Sequence, residues 1–292
     1  MTKKGLVKLG ALLPFLLLLL TGCTEKVDVL DPKGPVAQSQ YNLILWSFAL
    51  VSLVLIVVFV LFTIILIRYR ERPDNMDYEP PDTHGNTKLE ILWTVIPVII
   101  VLALAIPTVQ ITYGLEKKPV TPEDKKPVKV QVVAADWKWI FKYPEQGIET
   151  VNYLHIPTGR PIDFQLDATA NMNSFWIPKL GGQEYTMPGH TGYLWLQADE
   201  PGTYEGKSAN FTGEGFAHMK FQVIAQESEE FEKWAKETKA TAPKLTDEKF
   251  KEIIKKGILD ERLTFSSTHD DAIIETVHKY RKKSGENSHE QH

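Results

Sequence analysis

Two uncharged apolar stretches of 25 residues each, at 43–67 and 91–115, constrain the fold of this chain more than any other feature. As an α-helix, each stretch is about 37 Å long, which is enough to cross about 30 Å of hydrocarbon with some tilt. Pro97 and Pro107 lie inside the second stretch, where prolines are tolerated if neighbouring groups satisfy the carbonyls they free. The pattern predicts a hairpin of two transmembrane helices.

The charges beside the first stretch predict the orientation of this hairpin. Arg68, Arg70 and Arg72 follow it directly, so the positive-inside rule places the loop at 68–90 in the cytoplasm and both flanking regions outside. Glu90 then lies at the cytoplasmic mouth of the second span. A carboxylate at such a depth often marks a proton or ion route, but it can equally be a helix-end acid in contact with water.

The N-terminus has the pattern of an export signal. Three lysines precede twelve apolar residues at 9–20, a run too short to cross the hydrocarbon as a helix, and Leu-Thr-Gly-Cys follows at 20–23. This tetrapeptide resembles a bacterial lipobox, in which the cysteine becomes the lipidated first residue of the mature chain. We therefore expect a signal peptide at 1–22, lipidation of Cys23 and an external segment at 23–42. The alternative is a chance cysteine at the end of an uncleaved helix.

The region after the hairpin is too polar to cross a bilayer, and its pattern changes along its length. A linker rich in lysine and proline occupies 116–127, and from 128 to 225 short β-branched and aromatic runs alternate with glycine and proline turns, as in an all-β sandwich or barrel. From 226 to 292, 28 of 67 residues are charged, which predicts a charged extension with helices at 229–239 and 247–256. The clearest strand patterns lie at 128–133, 137–141, 162–166, 192–197 and 220–224.

Composition excludes several classes of function. The 33 Lys and Arg against 37 Asp and Glu give a net charge of −4, which offers no basic field for nucleic acid. The single cysteine excludes a disulfide framework and any zinc site built on several thiolates. Neither a catalytic triad nor a glycine-rich phosphate loop stands out in the sequence.

A set of motifs spread over residues 20 to about 225 gives the chain a family resemblance. The order of lipobox, hairpin and external β-domain resembles subunit II of the haem-copper terminal oxidases, whose external domain is a cupredoxin-type sandwich. The resemblance implies the fold class of a two-helix transmembrane hairpin with an all-β, cupredoxin-like external domain and a charged, partly helical tail. It is carried by KLEILWTVIP at 88–97, DWKW at 136–139 with YPE at 143–145, NSFWIPKLG at 173–181, PGTYEG at 201–206 and FTGEGF at 211–216.

The resemblance also shows what this chain lacks. In the cytochrome c oxidase branch the domain holds a binuclear copper centre, ligated by a histidine before the Ser-Phe-Trp-like run and by a later Cys-x-Glu-x-Cys-Gly-x-x-His-x-x-Met segment. Soft thiolates are the indispensable ligands of such copper. Only the methionine of that ligand set is retained, and we expect no metal on this chain. The positions corresponding to the ligands are Asn173, Ser208, Asn210, Thr212, Phe216 and Met219.

The copper-less branch resembles this sequence more closely. The lipobox followed by VLDPKGP at 29–35 looks like subunit II of a Bacillus-type menaquinol oxidase. In that branch a membrane quinol, and not cytochrome c, delivers the electrons, and the haems and the oxygen-reducing copper belong to subunit I. The resemblance implies a subunit of a proton-translocating quinol oxidase in the bacterial plasma membrane, with its β-domain outside and no complete active site or cofactor of its own. Its expected partners are subunit I, the other small membrane subunits and membrane lipid.

Individual residues take their roles from the same resemblance. Glu90 matches an acid that lies at the entrance of a proton pathway into subunit I. Trp137 and Trp139 match an aromatic stretch that receives electrons in the copper branch, and without copper we interpret them as core or subunit-contact residues. His218 is two residues late for a ligand position and is interpreted as an ordinary histidine, whereas Met219 is expected to fill the core.

Two other hypotheses follow from the sequence. One is a cytochrome c oxidase subunit with its own copper, which requires two thiols in the external domain. The other is a lipid-anchored binding or scaffold module with a cupredoxin-like domain. Against the second stands the hairpin, because a lipid and one helix would suffice for attachment, so two spans with Pro97, Pro107 and Glu90 indicate packing on another membrane protein.

Overall fold

The structure is a computed structural model that describes residues 27–70, 85–119 and 126–276. The predicted signal peptide at 1–22, Cys23 and residues 71–84 of the predicted cytoplasmic loop lie outside the described residues.

Two long helices form the hairpin, α1 over Pro35–Tyr69 and α2 over Thr87–Glu116. Both are long and apolar enough to cross a membrane, and the spans predicted at 43–67 and 91–115 lie within them. Helix α1 begins at Pro35, a residue whose fixed φ suits the first helical position. Helix α2 begins after Asn86, whose side-chain oxygen accepts hydrogen bonds from the backbone N–H groups of Lys88 and Leu89.

Eleven strands follow in the described part of the chain, arranged as two sheets. The first sheet has the order β11-β3-β2-β1-β5-β8 and the second β4-β10-β9-β6-β7. Most neighbours are antiparallel, and β1 with β5 and β10 with β4 are the parallel pairs. The strands are β1 Val128–Ala135, β2 Lys138–Tyr143, β3 Ile148–Val151, β4 Tyr153–Pro157, β5 Ile162–Ala168, β6 Asn173–Ile177, β7 Gly181–Thr186, β8 Gly192–Leu196, β9 Gly202–Ser208, β10 Lys220–Gln226 and β11 Leu263–Phe265.

The faces of the two sheets meet in an aromatic core. Trp139, Phe141 and Phe175 are fully buried, and the Phe175 and Phe221 rings stack with centroids 5.2 Å apart. The Trp139 ring meets Phe175 edge to face at 5.4 Å, a favourable geometry for an aromatic pair. The predicted membrane hairpin with an all-β, cupredoxin-like external domain is therefore confirmed.

The region predicted as a charged extension folds onto the β-sandwich. Helix α3 spans Ser228–Thr241 and helix α4 spans Asp247–Ile253, so the second predicted helix ends three residues earlier than expected. Strand β11 adds itself to β3, and Phe250 and Phe265 are buried in a second apolar cluster on the outer face of that sheet. The sequence pattern did not predict this strand, because three residues are too few to show a period of two.

Candidate functional site

The loop between β9 and β10 contains most of the positions that correspond to copper ligands in the family resemblance. It starts at Ser208, includes a 3₁₀ turn at Phe216–His218 and ends at Met219, opposite the start of β6 at Asn173. The N–H of Ser208 donates to the Met219 carbonyl at 3.1 Å, and the N–H of Ala209 donates to the Ser174 carbonyl at 3.0 Å. The first bond joins the two ends of the loop to each other, and the second ties the loop to β6 of the second sheet.

The polar side chains at these positions bond to nearby carbonyls. The Asn173 side-chain amide donates to the Asn171 carbonyl at 2.9 Å, and the Asn210 amide donates to the Met172 carbonyl at 3.0 Å. The Ser208 hydroxyl donates to the Asn210 carbonyl at 3.2 Å. The Asn210 amide therefore ties the loop to the segment before β6, whereas the Asn173 amide bonds within that segment.

The remaining positions bring apolar groups or orphan oxygens. The Phe216 ring packs edge to face against Phe211 at 5.5 Å, and Met219 is 1% exposed in the core, as the sequence suggested. Among the described residues, the buried side-chain oxygens of Asn173 and Thr212 have no hydrogen-bond partner. The set thus consists of amide and hydroxyl oxygens, an aromatic ring and one thioether.

This set does not fit a binuclear copper centre. Such a centre needs bridging thiolates and imidazole nitrogens, and amide or hydroxyl oxygens are hard ligands that suit other metals. Within 27–70, 85–119 and 126–276, three or more His, Cys, Asp or Glu side chains do not come together in a geometry that could hold a metal ion. We therefore derive no electron-transfer step through copper on this chain.

Trp137 packs under the same loop. Its ring lies so close to Gly215 that a Cβ there would come within 2.2 Å of it, and its indole N–H donates to the Thr212 carbonyl at 3.1 Å. The ammonium of Lys256, from the residues after α4, lies 5.3 Å above the ring. The strand predicted at 137–141 is wrong at its first residue. Trp137 has a φ of +63°, and β2 starts one residue later, at Lys138. It and Trp139 are both buried, in agreement with the interpretation as core residues.

His218 remains apart from any ligand set in the described structure. Its side chain is half-exposed, and Nδ1 lies 3.2 Å from the Asp260 carboxylate. This agrees with the interpretation of His218 as an ordinary histidine.

Glu90 lies in the first turn of α2, at the inner end of the hairpin. Its backbone N–H donates to the Asn86 carbonyl at 3.0 Å, and its own carbonyl accepts from the Thr94 hydroxyl at 2.8 Å. In the described part of the chain no donor reaches the Glu90 carboxylate, and the side chain is exposed. An acid at the N-terminal end of a helix is favoured by the helix dipole.

The outer ends of both hairpin helices are fixed to the β-domain. At α1, the Ala37 N–H donates to the Leu180 carbonyl at 3.1 Å, and Gly181, with φ +89°, comes so close that a Cβ would lie 2.7 Å from the Ala37 nitrogen. At α2, the indole of Trp195 donates to the Leu115 carbonyl at 2.7 Å. We call these two contacts the outer clamp.

Residues before α1 strengthen the outer clamp. Lys33 forms an ion pair with Glu200 at 2.7 Å, and its backbone N–H donates to the Lys179 carbonyl at 2.7 Å. Lys179 in turn lies 3.2 Å from the Asp31 carboxylate. The external segment is therefore part of the folded domain from residue 27 onward.

A buried polar cluster on the outer face of the first sheet has no counterpart in the sequence interpretation. Glu149 is fully buried, and its carboxylate is 2.7 Å from Nδ1 of His269, which is stacked on Phe250 with ring centroids 4.1 Å apart. Lys142 bonds the Asp271 carboxylate at 2.6 Å beside this pair. Glu149 and His269 are 120 positions apart in the sequence, so a single sequence gives no signal that would pair them.

His155 lies at the contact between β4 and helix α3. Its ring stacks on Trp234 of α3 at 4.0 Å, and its Nδ1 lies 3.1 Å from the side-chain oxygen of Gln226. Burial lowers the pKa of His155 to about 4, and the bond to Gln226 opposes this shift only in part. His155 is therefore neutral at ordinary pH.

Two family profiles match this chain. The profile described as cytochrome c oxidase subunit II, transmembrane domain, matches residues 27–111, and the profile of the periplasmic domain of the same subunit matches 141–226.

Relatives match over most of the chain. Quinol oxidase subunit 2 of Bacillus anthracis is 59% identical over 268 residues, covering 91% of this chain and 92% of the relative. Quinol oxidase subunit 2 of Bacillus subtilis strain 168 is 54% identical over 252 residues, covering 86% of this chain and 78% of the relative. Among solved structures, the periplasmic domain of subunit II of cytochrome oxidase from Bradyrhizobium japonicum is 21% identical, covers 38% of this chain and 91% of that chain, and has a TM-score of 0.37.

Proposed function

The chain belongs to the cytochrome c oxidase subunit II family, and we propose that it is subunit II of a quinol oxidase that reduces O₂ to water and translocates protons. The names of its relatives and their coverage support this proposal. The protein is membrane-anchored with an external β-domain, and its partner is subunit I of the same complex.

One observation carries the choice of electron donor. The positions of the family's copper ligands hold oxygen, ring and thioether groups, which cannot bind the copper pair that accepts electrons from a soluble cytochrome. Electrons must then come from a donor dissolved in the membrane, menaquinol in the branch that this chain resembles. The haems and the oxygen-reducing copper belong to subunit I, while this chain caps and stabilises that subunit together with the other small subunits.

The first experiment is purification of the intact complex through a tag on this chain. We expect a partner with many spans and haem absorbance, O₂ consumption driven by menaquinol, no oxidation of reduced cytochrome c, and no near-infrared band of a binuclear copper centre. Copper beyond that of subunit I, or turnover with cytochrome c, would contradict the proposal. Isolation of the chain without any haem-containing partner would favour the binding or scaffold module.

We propose that Glu90 is the entrance carboxylate of a proton pathway into subunit I. Its exposed carboxylate at the inner end of α2 supports this role. We expect Glu90→Gln to lower menaquinol-driven O₂ consumption by about tenfold with unchanged haem content, because a proton-transfer group is removed. The matched control is Glu116→Gln at the outer end of the same helix. Equal turnover in wild type and Glu90→Gln would refute the role.

We also propose that Cys23 carries the lipid of a processed lipoprotein. The apolar run at 9–20 and the tetrapeptide at 20–23 support this proposal, and the external location of the segment that follows agrees with it. Cells grown with radiolabelled palmitate should label the wild-type chain and not Cys23→Ala. Labelling that persists in the variant would point to another anchor.

A further inference from the structure

The partly buried residues of the two hairpin helices lie in their outer halves. In the described structure every residue of α1 from 53 onward, and every residue of α2 before Ile100, is exposed, whereas Ala103, Leu104 and Pro107 are partly buried. The inner half of α2 is therefore not covered by other described residues. An apolar helix surface of this kind faces either lipid or another membrane protein.

The two prolines of α2 each free one backbone carbonyl, and the two carbonyls differ in their surroundings. Proline has no N–H, so Pro107 leaves the Ala103 carbonyl, four residues earlier, without its helical partner. The indole N–H of Trp46 on α1 donates to this carbonyl at 3.1 Å. The hairpin itself thus satisfies the outer carbonyl.

The inner carbonyl has no such donor. Pro97 frees the carbonyl of Trp93, and among the described residues no side chain donates to it. The nearest hydroxyl on this helix, that of Thr94, already donates to the Glu90 carbonyl. A backbone carbonyl without a partner is unfavourable in hydrocarbon, so a donor from outside the described residues would stabilise it.

Glu90 lies on the same face of α2 as this carbonyl. Residues 90 and 97 are seven positions apart, two helical turns, and the Trp93 carbonyl lies between them, about 5 Å deeper in the membrane than Glu90. The face thus presents a carboxylate and a free carbonyl, both of which accept hydrogen bonds. Lipid tails cannot donate to either group, and a transmembrane helix with a polar side chain can.

We infer that, where the inner face of α2 packs against subunit I, a hydroxyl, amide or cationic side chain of a transmembrane helix of that subunit donates to the Trp93 carbonyl. The inference rests on the proposed function, since it takes the haem-containing subunit as the partner. It adds a specific anchoring contact at the depth where the proton pathway is proposed to begin.

A pair of proline variants tests the contact in the purified complex. In Pro97→Ala the new backbone N–H pairs with the Trp93 carbonyl, so the partner's donor loses its acceptor. Hydrogen bonds between membrane helices contribute about 0.6–1.7 kcal/mol, so we expect the apparent dissociation constant from subunit I in mixed micelles to rise about 3- to 20-fold. The matched control, Pro107→Ala, changes a carbonyl that Trp46 already satisfies, and we expect less than a 2-fold change. Similar effects of both variants, or none, would overturn the inference.

A measurement on the unmutated protein does not depend on the folding of a variant. Trp93 and Thr94 form the only Trp-Thr pair in the sequence, so tryptophan labelled with ¹³C at the carbonyl and threonine labelled with ¹⁵N select this one carbonyl in solid-state NMR. We expect its ¹³C signal to move downfield when the full chain in lipid vesicles is joined by subunit I, and to receive no magnetisation from water. An unchanged signal, or transfer from water, would show that the partner supplies no donor.

The two proposals fail in different ways. If the proposed function is wrong, no haem-containing subunit is isolated with the wild-type chain. If only the contact is wrong, the complex forms and the Trp93 carbonyl signal is the same with and without subunit I.

Discussion

At the scale of single residues, His155 shows how burial changes the chemistry of a side chain. Its ring joins strand β4 to helix α3 by stacking on Trp234, and the backbone N–H of the same residue donates to the Tyr143 hydroxyl at 2.8 Å. Burial in this stack favours the neutral imidazole, because an imidazolium there would be poorly solvated.

The low pKa of His155 predicts a loss of stability in acid. The folded protein binds this proton with a pKa of about 4, below the ordinary value of 6.5, so the unfolded chain takes up more protons between these two values. The stabilisation is therefore complete above pH 6.5 and is lost as the pH falls toward 4. We expect the free energy of unfolding of the purified protein to fall more between pH 7 and pH 4.5 in wild type than in His155→Phe.

The phenylalanine variant keeps an aromatic ring against Trp234 and removes the titrating group. Carboxylates titrate in the same range, but they are common to both proteins and cancel in the comparison. Equal slopes of urea-unfolding free energy against pH in the two proteins would contradict the prediction.

At the scale of elements, one side chain of β2 and one from the turn between β3 and β4 hold the loop that follows α4. The ammonium of Lys138, a buried residue, donates to the Lys255 and Gly257 carbonyls, both at 2.7 Å. The side-chain amide of Asn152 donates to the Leu259 carbonyl at 2.5 Å, and its side-chain oxygen accepts from the backbone N–H of Trp139 at 3.0 Å. Side chains of the β-domain therefore hold this loop through its backbone carbonyls.

Removing the Lys138 ammonium should release this loop. In Lys138→Met the two carbonyls lose a charged donor, and hydrogen bonds to charged groups contribute about 1.5–3 kcal/mol. We expect the free energy of unfolding to fall by about 2 kcal/mol and the amides of residues 254–261 to exchange faster with deuterium. Lys129→Met, on the exposed side of β1, is the control. Unchanged exchange at 254–261 would show that Lys138 does not hold the loop.

The elements also show where the sequence sufficed and where it did not. The transmembrane spans and the strands β1, β2, β5, β8 and β10 could be predicted because long apolar runs and alternating patterns are local signals. Strand β11 could not be predicted, because Leu263–Phe265 is extended only through its pairing with β3. The paired residues Leu263 and Val151 are 112 positions apart in the sequence. The sequence alone shows that Ser208 and Thr212 replace copper ligands. The partners of Glu149 and of the carbonyl freed by Pro107 could be identified only from the three-dimensional structure.

At the scale of the whole molecule, the C-terminal region completes the external domain. The buried residues Phe250, Ile253 and Phe265 cover Ile140 and Val151 on the outer face of the first sheet. The charged side chains of this region lie outside and its apolar side chains face the sheet, so its composition indicated a charged, partly helical extension and not a part of the domain.

Truncation should reveal this dependence. A full-length chain shortened to end at Thr241 loses α4 and β11, so we expect the uncovered face of the sheet to bind a hydrophobic dye and the unfolding temperature to drop by more than about 5 °C. A chain ending at Thr276 keeps every described element and is the control. Equal dye binding by the two truncated chains would show that the outer face does not need this cover.

The outer clamp gives the molecule a mechanical property. Helix α1 is continuous for 35 residues, about 52 Å, from its contact with Leu180 to its inner end. The first turn of this helix is hydrogen-bonded to the sandwich, so the direction of the helix depends on the orientation of the external domain. For a rigid helix of this length, a rotation of that domain by about 5° would displace the inner end of α1 by about 4–5 Å, so the orientation of the external domain and the position of the inner helix end are coupled.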